Sequence, residues 1–261
     1  MESRVLVFFP VYNEGQSAAH LLRRVDAACR QLARPYRVLV VDDGSTDDSV
    51  AALRREGSGV PLTLLEHGQN RGLKEALETG LRWLATESEE GDVAVFMDGD
   101  DTHDPAQIAA MLRRMADGAD VVIASRYRRG AVLQGVSRHR QLLSAGANLW
   151  GLLFFHLPGV RDYACGYRAV RAGLVKELVA RAGANLLELP RYGFICSVEI
   201  LVKLGELTDR FAEIPLALRY DRKEATSKMD PVRTALGYFV LFWRRLGRKK
   251  RPNRHPGKKK D

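Results

Sequence analysis

The sequence predicts an α/β fold, a largely parallel Rossmann-like sheet with helices on both faces. Two observations carry this: short β-branched or aliphatic runs alternate with segments of helical apolar spacing, and three of the runs end in loops rich in Asp, Asn, Gly or Pro. The first run, residues 5–10, reads as a strand, because it is too short for the apolar region of a signal peptide and lacks a basic flank. Helical spacing over 18–32 is followed by a strand at 38–42, a short helix at 50–54 and a strand at 62–66. Residues 73–84 form the next helix, 93–98 the fourth strand, 108–115 a helix and 121–125 the fifth strand. The second half is less regular. A basic loop runs from Arg126 to Arg140, and 142–157 reads by default as a core helix, with partial exposure at a lipid interface as the alternative. A segment at 162–170, a helix near 197–204 and a return strand at 211–218 complete the domain, and no internal repeat is evident.

With 261 residues and 46% hydrophobic content, the chain can bury a substantial core in one α/β unit or two tightly joined lobes. Cys29, Cys165 and Cys196 are odd in number and widely spaced, which argues against a disulfide framework or a zinc site and for a reducing, cytosolic setting. The charge is unevenly placed. Residues 244–261 hold ten Lys or Arg and one Asp, so the net charge of +9 lies in this tail and the remaining chain is formally neutral. Its Pro, Gly and charge density predict disorder after Leu246. The partner of such a tail is anionic: lipid headgroups attract it by about 1 kcal/mol per basic residue near the surface, and nucleic acid competes. The aromatic stretch at 236–243 is far shorter than the roughly 20 residues of a membrane span. That pairing favours a membrane surface over a packed terminal helix with a solubilising tail. The expected organisation is one domain over 1–229, an amphipathic helix over 230–246 and a basic tail over 247–261, peripheral on the cytoplasmic face of a membrane with no transmembrane span.

The chemistry gathers where strands end. The fourth strand runs into Asp98-Gly99-Asp100-Asp101-Thr102-His103-Asp104-Pro105. Carboxylates this close repel unless donors or a hard cation compensate, and Mg²⁺ or Mn²⁺ held this way keeps positions for substrate phosphates. The same residues suit a helix cap, with Asp104-Pro105 as N-cap and first helical residue. The readings are compatible, with Asp98 and Asp100 as ligands and the later acids as caps. Ligands of open α/β sheets bind beyond the carboxyl ends of the strands. There the first strand exits into Pro10-Val11-Tyr12-Asn13-Glu14 and the second into Asp42-Asp43-Gly44-Ser45-Thr46-Asp47. A proline, a ring and a carboxylate can hold a flat base, and Asp43 can accept from a base imino or amino group. Each loop alone is also ordinary turn chemistry. The GxGxxG and GxxxxGK[ST] fingerprints are absent, which argues against a dinucleotide and against that mode of nucleotide hydrolysis.

FFPVYNE, VVDDGSTDDS, the segment from Asn70 through Gly72 and Ala76 to Gly80, and FMDGDDTHDP resemble, in order and spacing over residues 4–126, the inverting family-2 nucleotide-sugar glycosyltransferases of GT-A fold. Downstream, SRY at 125–127, Arg140 with Ser144, DYACGYRAV at 162–170, Asp221-Arg222 and Ser227-Lys228 are similar to the narrower polyprenyl-phosphate group, which includes dolichyl-phosphate mannose synthases. The resemblance implies that Pro10, Tyr12, Glu14, Val41, Asp43, Asp98 and Gly99 hold the nucleotide. It implies a Mg²⁺ or Mn²⁺ site from Asp98, Asp100 and Thr102, with Thr102 standing where many relatives have Gln or Ser and Gly99 where Ala is frequent. It further implies an acceptor-phosphate set of Arg126, Arg140, Ser144, Arg222 and Lys228, whose basic members form with Asp100 the catalytic group.

The expected function is inverting transfer of a hexose to a polyprenyl phosphate at a membrane surface, with GDP-mannose as first donor and UDP-glucose as runner-up. A phosphate monoester's second pKa lies near 6, so such an acceptor is already anionic and requires neither a general base nor a protein nucleophile. A saccharide or protein acceptor would instead require a carboxylate base, for which Asp162 and Glu199 are the candidates. Glu199 otherwise orients a neighbour, and Arg168 reads as structural. A nucleic-acid-binding module would explain the tail but leaves the strand-exit loops without a role.

Overall fold

The structure, a computed structural model, describes residues 3–189, 195–222 and 236–244. Strand β1 (Val5–Val11) lies parallel between β2 (Tyr36–Asp42) and β4 (Val93–Phe96), and β3 (Leu62–Glu66) extends the sheet beyond β2. All of β1 except Pro10, and all of β4, is buried, as expected of strands covered on both faces. Beyond β4 the sheet continues through β7 (Arg168–Arg171), antiparallel to both neighbours, then β5 (Val121–Ser125) and β8 (Phe211–Pro215). The order is β3-β2-β1-β4-β7-β5-β8.

Helices follow the strands: α1 (Gln16–Arg30), α2 (Ser49–Glu56), α3 (Leu73–Glu87) and α4 (Ile108–Ala116), then α5 (Arg138–Phe155), α6 (Ala172–Ala182) and α7 (Ile195–Leu204). Helix α1 buries Ala18, Leu21, Leu22, Val25 and Cys29, and α3 buries Ala76, Leu77, Gly80, Leu81 and Leu84. Both sets repeat at three- and four-residue intervals, so each helix presents one apolar stripe to the sheet. Each buried Leu or Val contributes about 1.5–3 kcal/mol. Gly80 sets the approach of α3 to β1, because a Cβ there would stand 2.2 Å from Phe8 Cζ.

The strands and helices expected of the first half are present with bounds moved by a few residues. The second half departs from expectation in three places. The return strand breaks after Pro215, which has no N–H to continue a ladder, and β9 (Ala217–Arg219) leaves the main sheet to pair with β6 (Val132–Gln134), a strand inside the expected basic loop. Strand β7 and helix α6 arise where the sequence offered only an undivided segment and no helix. Helix α5 is not a core helix. Its inward positions are Asn148, Gly151 and Phe155, while Leu142, Leu149 and Leu153 are exposed. Asn148 donates to Arg161 O and accepts from Tyr163 N, and Gly151 lies on the Tyr163 ring, so Asn148 and Gly151 turn inward while Leu142, Leu149, Leu152 and Leu153 turn outward.

Residues 236–244 form a last helix, α8, within the expected 230–246. Tyr238 and Leu241 point into the domain, and Phe239 and Phe242 meet Trp150 and Phe154 of α5. The basic tail lies outside the described residues. Among those described, no helix is long and apolar enough to cross a membrane. All three cysteines are free and buried, and burial pushes each thiol up to about 12, so none is a reactive thiolate.

Candidate active site

The exits of β1, β2 and β4 lie side by side at one edge of the sheet, and the first two loops are laced together. Asn13, in the left-handed region at φ 49°, donates its N–H to Ser45 Oγ and accepts from Thr46 N. Ser49 Oγ accepts from the N–H groups of Glu14 and Gly15. Pro10, Tyr12 and Glu14 are partly exposed along this rim, whereas Val41 is wholly buried beneath it and supports the floor. Asp43 is also buried. Its carboxylate accepts from Arg71 N at 3.0 Å and Gly72 N at 2.8 Å, and lies 2.8 Å from His67 Nδ1. His67 Nε2 in turn meets Thr79 Oγ1 at 2.9 Å. Asp43 therefore anchors the 67–72 loop against the β2 exit. Gly44 is required there, at φ 74°, because a Cβ would fall 2.2 Å from the Gln69 carbonyl carbon.

The acidic cluster divides. Asp101 and Asp104 are both bound by Arg24, and Asp104 accepts from Ala106 N as the cap of a 3-10 turn at Pro105–Gln107. Burial raises the Asp101 carboxyl above its ordinary range, against the opposing charge of Arg24. The Asp98 side chain is 52% exposed, and Asp100 accepts from the Thr102 hydroxyl at 2.7 Å. Thr102 is buried, so its hydroxyl orients Asp100. Gly99 fits between them and β1: a Cβ would stand 2.4 Å from Pro10 O, so an alanine here does not fit this geometry. Among the described residues no three His, Cys, Asp or Glu side chains form a metal cage. A cation at Asp98 and Asp100 would have to complete its shell with substrate oxygens and water, the usual habit of Mg²⁺.

His103 is the residue that sequence reasoning passed over. It is buried and stacked on Tyr167, ring centroids 4.9 Å apart, and its Nδ1 accepts from Asp98 N at 3.2 Å. With Nδ1 accepting, the proton of the neutral ring sits on Nε2, 3.6 Å from Asp98 Oδ2. Tyr167 donates to Asp104 O, which locks the stack to the cap. His103 lies inside the acidic motif, but only the fold brings Tyr167 beneath it.

The basic set does not gather as a whole. Arg126 is tied to buried Asp162 through Nε and Nη2, at 2.8 and 2.6 Å, and donates from Nη1 to Ser144 Oγ at 2.6 Å. Burial would raise the Asp162 carboxyl, but the Arg126 charge and hydrogen bonds outweigh it and hold it below the usual range. Asp162 is therefore no general base. Glu199 is also buried, paired with Lys203 at 2.8 Å and accepting from Glu188 N at 2.9 Å, so it orients its neighbours as expected. Arg168 is buried under the rim and donates to Ser197 O and Tyr163 O, a structural position. Arg222 closes a short turn after β9. That strand is fastened to the acidic loop by Arg219 N donating to Thr102 O at 2.8 Å, and the Arg222 charge acts on Asp101. Its Nη1 is buried with no hydrogen-bond partner among the described residues. The Arg140 side chain and Lys228 lie outside the described residues. A cavity of about 660 Å³ between α3, α6 and α7 is lined by Glu188 and Lys203 and by none of the predicted site residues.

Residues 6–178 match the family described as glycosyl transferase family 2. A dolichol-phosphate mannosyltransferase from Pyrococcus furiosus is 31% identical over 203 residues, 77% of this chain and 53% of that protein. An undecaprenyl-phosphate 4-deoxy-4-formamido-L-arabinose transferase from Pseudomonas paraeruginosa is 35% identical over 197 residues, 73% of this chain and 54% of its own. The chain thus spans about half the length of these relatives. Among solved structures, a mannosyltransferase from Pyrobaculum calidifontis in complex with GDP-Man and Mn²⁺ superposes with a TM-score of 0.59 at 21% identity, covering 96% of this chain and 66% of that one. Glucosyl-3-phosphoglycerate synthase from Mycobacterium tuberculosis in complex with Mn²⁺, uridine diphosphate and glucosyl-3-phosphoglycerate gives 0.62 at 20%, covering 97% and 82%. The shared architecture is the GT-A fold.

Proposed function

Because this chain belongs to glycosyl transferase family 2, we propose that it transfers a sugar, with inversion, from a nucleotide sugar to a polyprenyl phosphate at a membrane surface. The observation that carries this reading is the state of the two candidate bases. Asp162 and Glu199 are both buried in ion pairs, so an acceptor that needs deprotonation would meet no base from either. A lipid phosphate needs none. The names of the two relatives given above support a polyprenyl-phosphate acceptor.

Asp98 and Asp100 offer only oxygen donors, which fits Mg²⁺ or Mn²⁺ better than a softer ion. Such a cation, when bound, would offset charge growing on the departing diphosphate. The rim formed by Pro10, Tyr12 and Glu14 would hold the nucleoside, with Asp43 fixing the 67–72 loop beside it. Arg222, whose charge acts on Asp101 and whose Nη1 has no hydrogen-bond partner among the described residues, is the described basic residue best placed for the acceptor phosphate. Arg140 and Lys228 are proposed to share that task. Arg126 is proposed to reach it through Ser144, since Asp162 compensates its charge. An acceptor phosphate oxygen then attacks the anomeric carbon from the face opposite the diphosphate. The new C–O bond forms as the old one breaks, and the electron pair departs on the diphosphate.

Mannose from GDP-mannose is placed first and glucose from UDP-glucose second. A panel of GDP-mannose and UDP-glucose with polyprenyl phosphate and Mg²⁺ or Mn²⁺ tests the proposal, with product anomeric configuration read by NMR. Glycosyl polyprenyl phosphate of inverted configuration is expected. Transfer to a free sugar alcohol but not to a lipid phosphate would reject the acceptor.

A further inference from the structure

We propose that His67 is a positioning residue for nucleotide binding: backed by Thr79, it fixes the Asp43 carboxylate and, through it, the 67–72 loop at the edge of the nucleoside rim. This rests on the function proposed above, which places a nucleotide at that rim. All four polar groups of His67 are engaged. Its N–H donates to Asp42 O at 2.9 Å, which carries the pairing of β2 with β3 one residue past β3. Its carbonyl accepts from Arg71 Nη2 at 3.3 Å, where the loop folds back. Nδ1 lies 2.8 Å from Asp43 Oδ1 and Nε2 lies 2.9 Å from Thr79 Oγ1, in a side chain only 6% exposed. An ionised carboxylate can only accept, so Nδ1 is the donor in either protonation state of the ring. In the neutral ring Nε2 then accepts from the Thr79 hydroxyl, which holds the tautomer that donates to Asp43. Thr79 is placed by its neighbour Gly80, which lets α3 close on Phe8.

The loop depends on such fastening. It is bracketed by Gly68 at φ 69° and Gly72 at φ 95°, both with open space where a Cβ would be, so no side chain restrains either end. Its shape comes from Asp43, which takes Arg71 N and Gly72 N as well as His67. Oδ1 receives two of these donors and Oδ2 one. Of the roughly four acceptor sites on a carboxylate, one therefore remains among the described residues, on Oδ2, to meet a base N–H. The loop and this acceptor are fixed before the nucleotide arrives, and such preorganisation raises affinity by lowering the ordering cost of binding. Packing alone would be served as well by an apolar side chain, whereas a chain of buried hydrogen bonds specifies one geometry.

The test is calorimetric titration of the full chain with GDP and with UDP, each with Mn²⁺, together with steady-state transfer. For the nucleotide that the parent binds, His67→Leu should raise the dissociation constant, and the KM for the sugar donor, at least about tenfold. Its kcat at saturating donor should stay within about threefold of the parent, because the substitution acts on binding. His67→Asn returns an N–H to the place of Nδ1 and should keep the affinity within about threefold of the parent. His67→Gln returns only the side that faces Thr79 and should behave like the leucine variant. Space filling alone gives the reverse order, because Gln is the larger of the two. Thr79→Val should weaken binding about threefold and Thr79→Ser should not, and this pair carries the test if the His67 variants do not fold. Unchanged affinity in His67→Leu and Thr79→Val, or equal losses in the Asn and Gln variants, would overturn the inference and leave the proposed function standing. The contrast between Asn and Gln in a protein that binds nucleotide but transfers nothing to polyprenyl phosphate would overturn that function and support the inference. A parent that binds neither nucleotide would overturn both.

Discussion

Asp162→Asn separates a structural carboxylate from a catalytic base. Asp162 is 0% exposed and accepts from Arg126 N, Nε and Nη2 at 2.9, 2.8 and 2.6 Å, and from Ala164 N and Cys165 N at 3.3 and 3.1 Å. The amide keeps one acceptor oxygen, turns the other toward the guanidinium as a donor and leaves the Arg126 charge uncompensated. Removing one partner of a buried ion pair costs about 3–5 kcal/mol. The Arg126 side chain retains 20% exposure, which admits some water and favours the lower end, about 3 kcal/mol. That is a large part of the roughly 5–15 kcal/mol stability of a domain.

The pH dependence follows from the direction of the shift. Asp162 is held below its ordinary range in the folded state, burial being outweighed by Arg126 and the backbone donors. Its contribution is therefore fully present above the unfolded value, about 4, and fades as pH falls through the folded value. Urea unfolding across a pH series should show a gap between parent and variant that is constant from neutral pH to about 5 and closes in stronger acid. A gap under about 1 kcal/mol at neutral pH would refute the buried-pair reasoning. A fully stable variant that had lost transfer would instead make Asp162 a base.

Asp100→Asn should lower transfer at least about a hundredfold with an unchanged thermal midpoint, and full activity in excess EDTA would remove the metal from the reaction. Arg222→Ala should raise the KM for polyprenyl phosphate at least about tenfold while leaving nucleotide affinity unchanged, and equal loss of both would move Arg222 to the nucleoside. His103→Phe keeps a ring on Tyr167 but removes the acceptor for Asp98 N, so Mn²⁺ affinity measured by calorimetry in the presence of the nucleoside diphosphate should fall at least about tenfold. Unchanged affinity would reduce His103 to packing.

The first half was legible because its signals are local. Strands β1 and β4 are apolar throughout, α1 and α3 repeat their apolar residues at helical spacing, and the loops between them announce themselves by composition. Asp98 and Asp100 could be found the same way, and so could the cap at Asp104. What could not be read was which acids Arg24 binds. It takes Asp101 and Asp104 from 77 and 80 residues away, a pairing absent from any local pattern.

In the second half the same limit reverses a prediction. Helix α5 has abundant leucine, which suggests a core, but spacing says only that a face exists and never which way it turns. Its direction is set by partners distant in sequence: Asn148 binds the backbone of Arg161 and Tyr163, and Gly151 admits the Tyr163 ring. Satisfying those buried backbone groups and filling that contact fixes Asn148 inward, because an unpaired buried donor or acceptor costs about 1–3 kcal/mol. Leu142, Leu149, Leu152 and Leu153 are then left facing out. The basic residues behave alike. Arg126 carries the same charge as Arg222, yet it is bound to Asp162, while Arg222 Nη1 has no hydrogen-bond partner among the described residues. The family resemblance assigns both to phosphate, and the buried countercharge on Arg126 makes Arg222 the stronger candidate for direct contact.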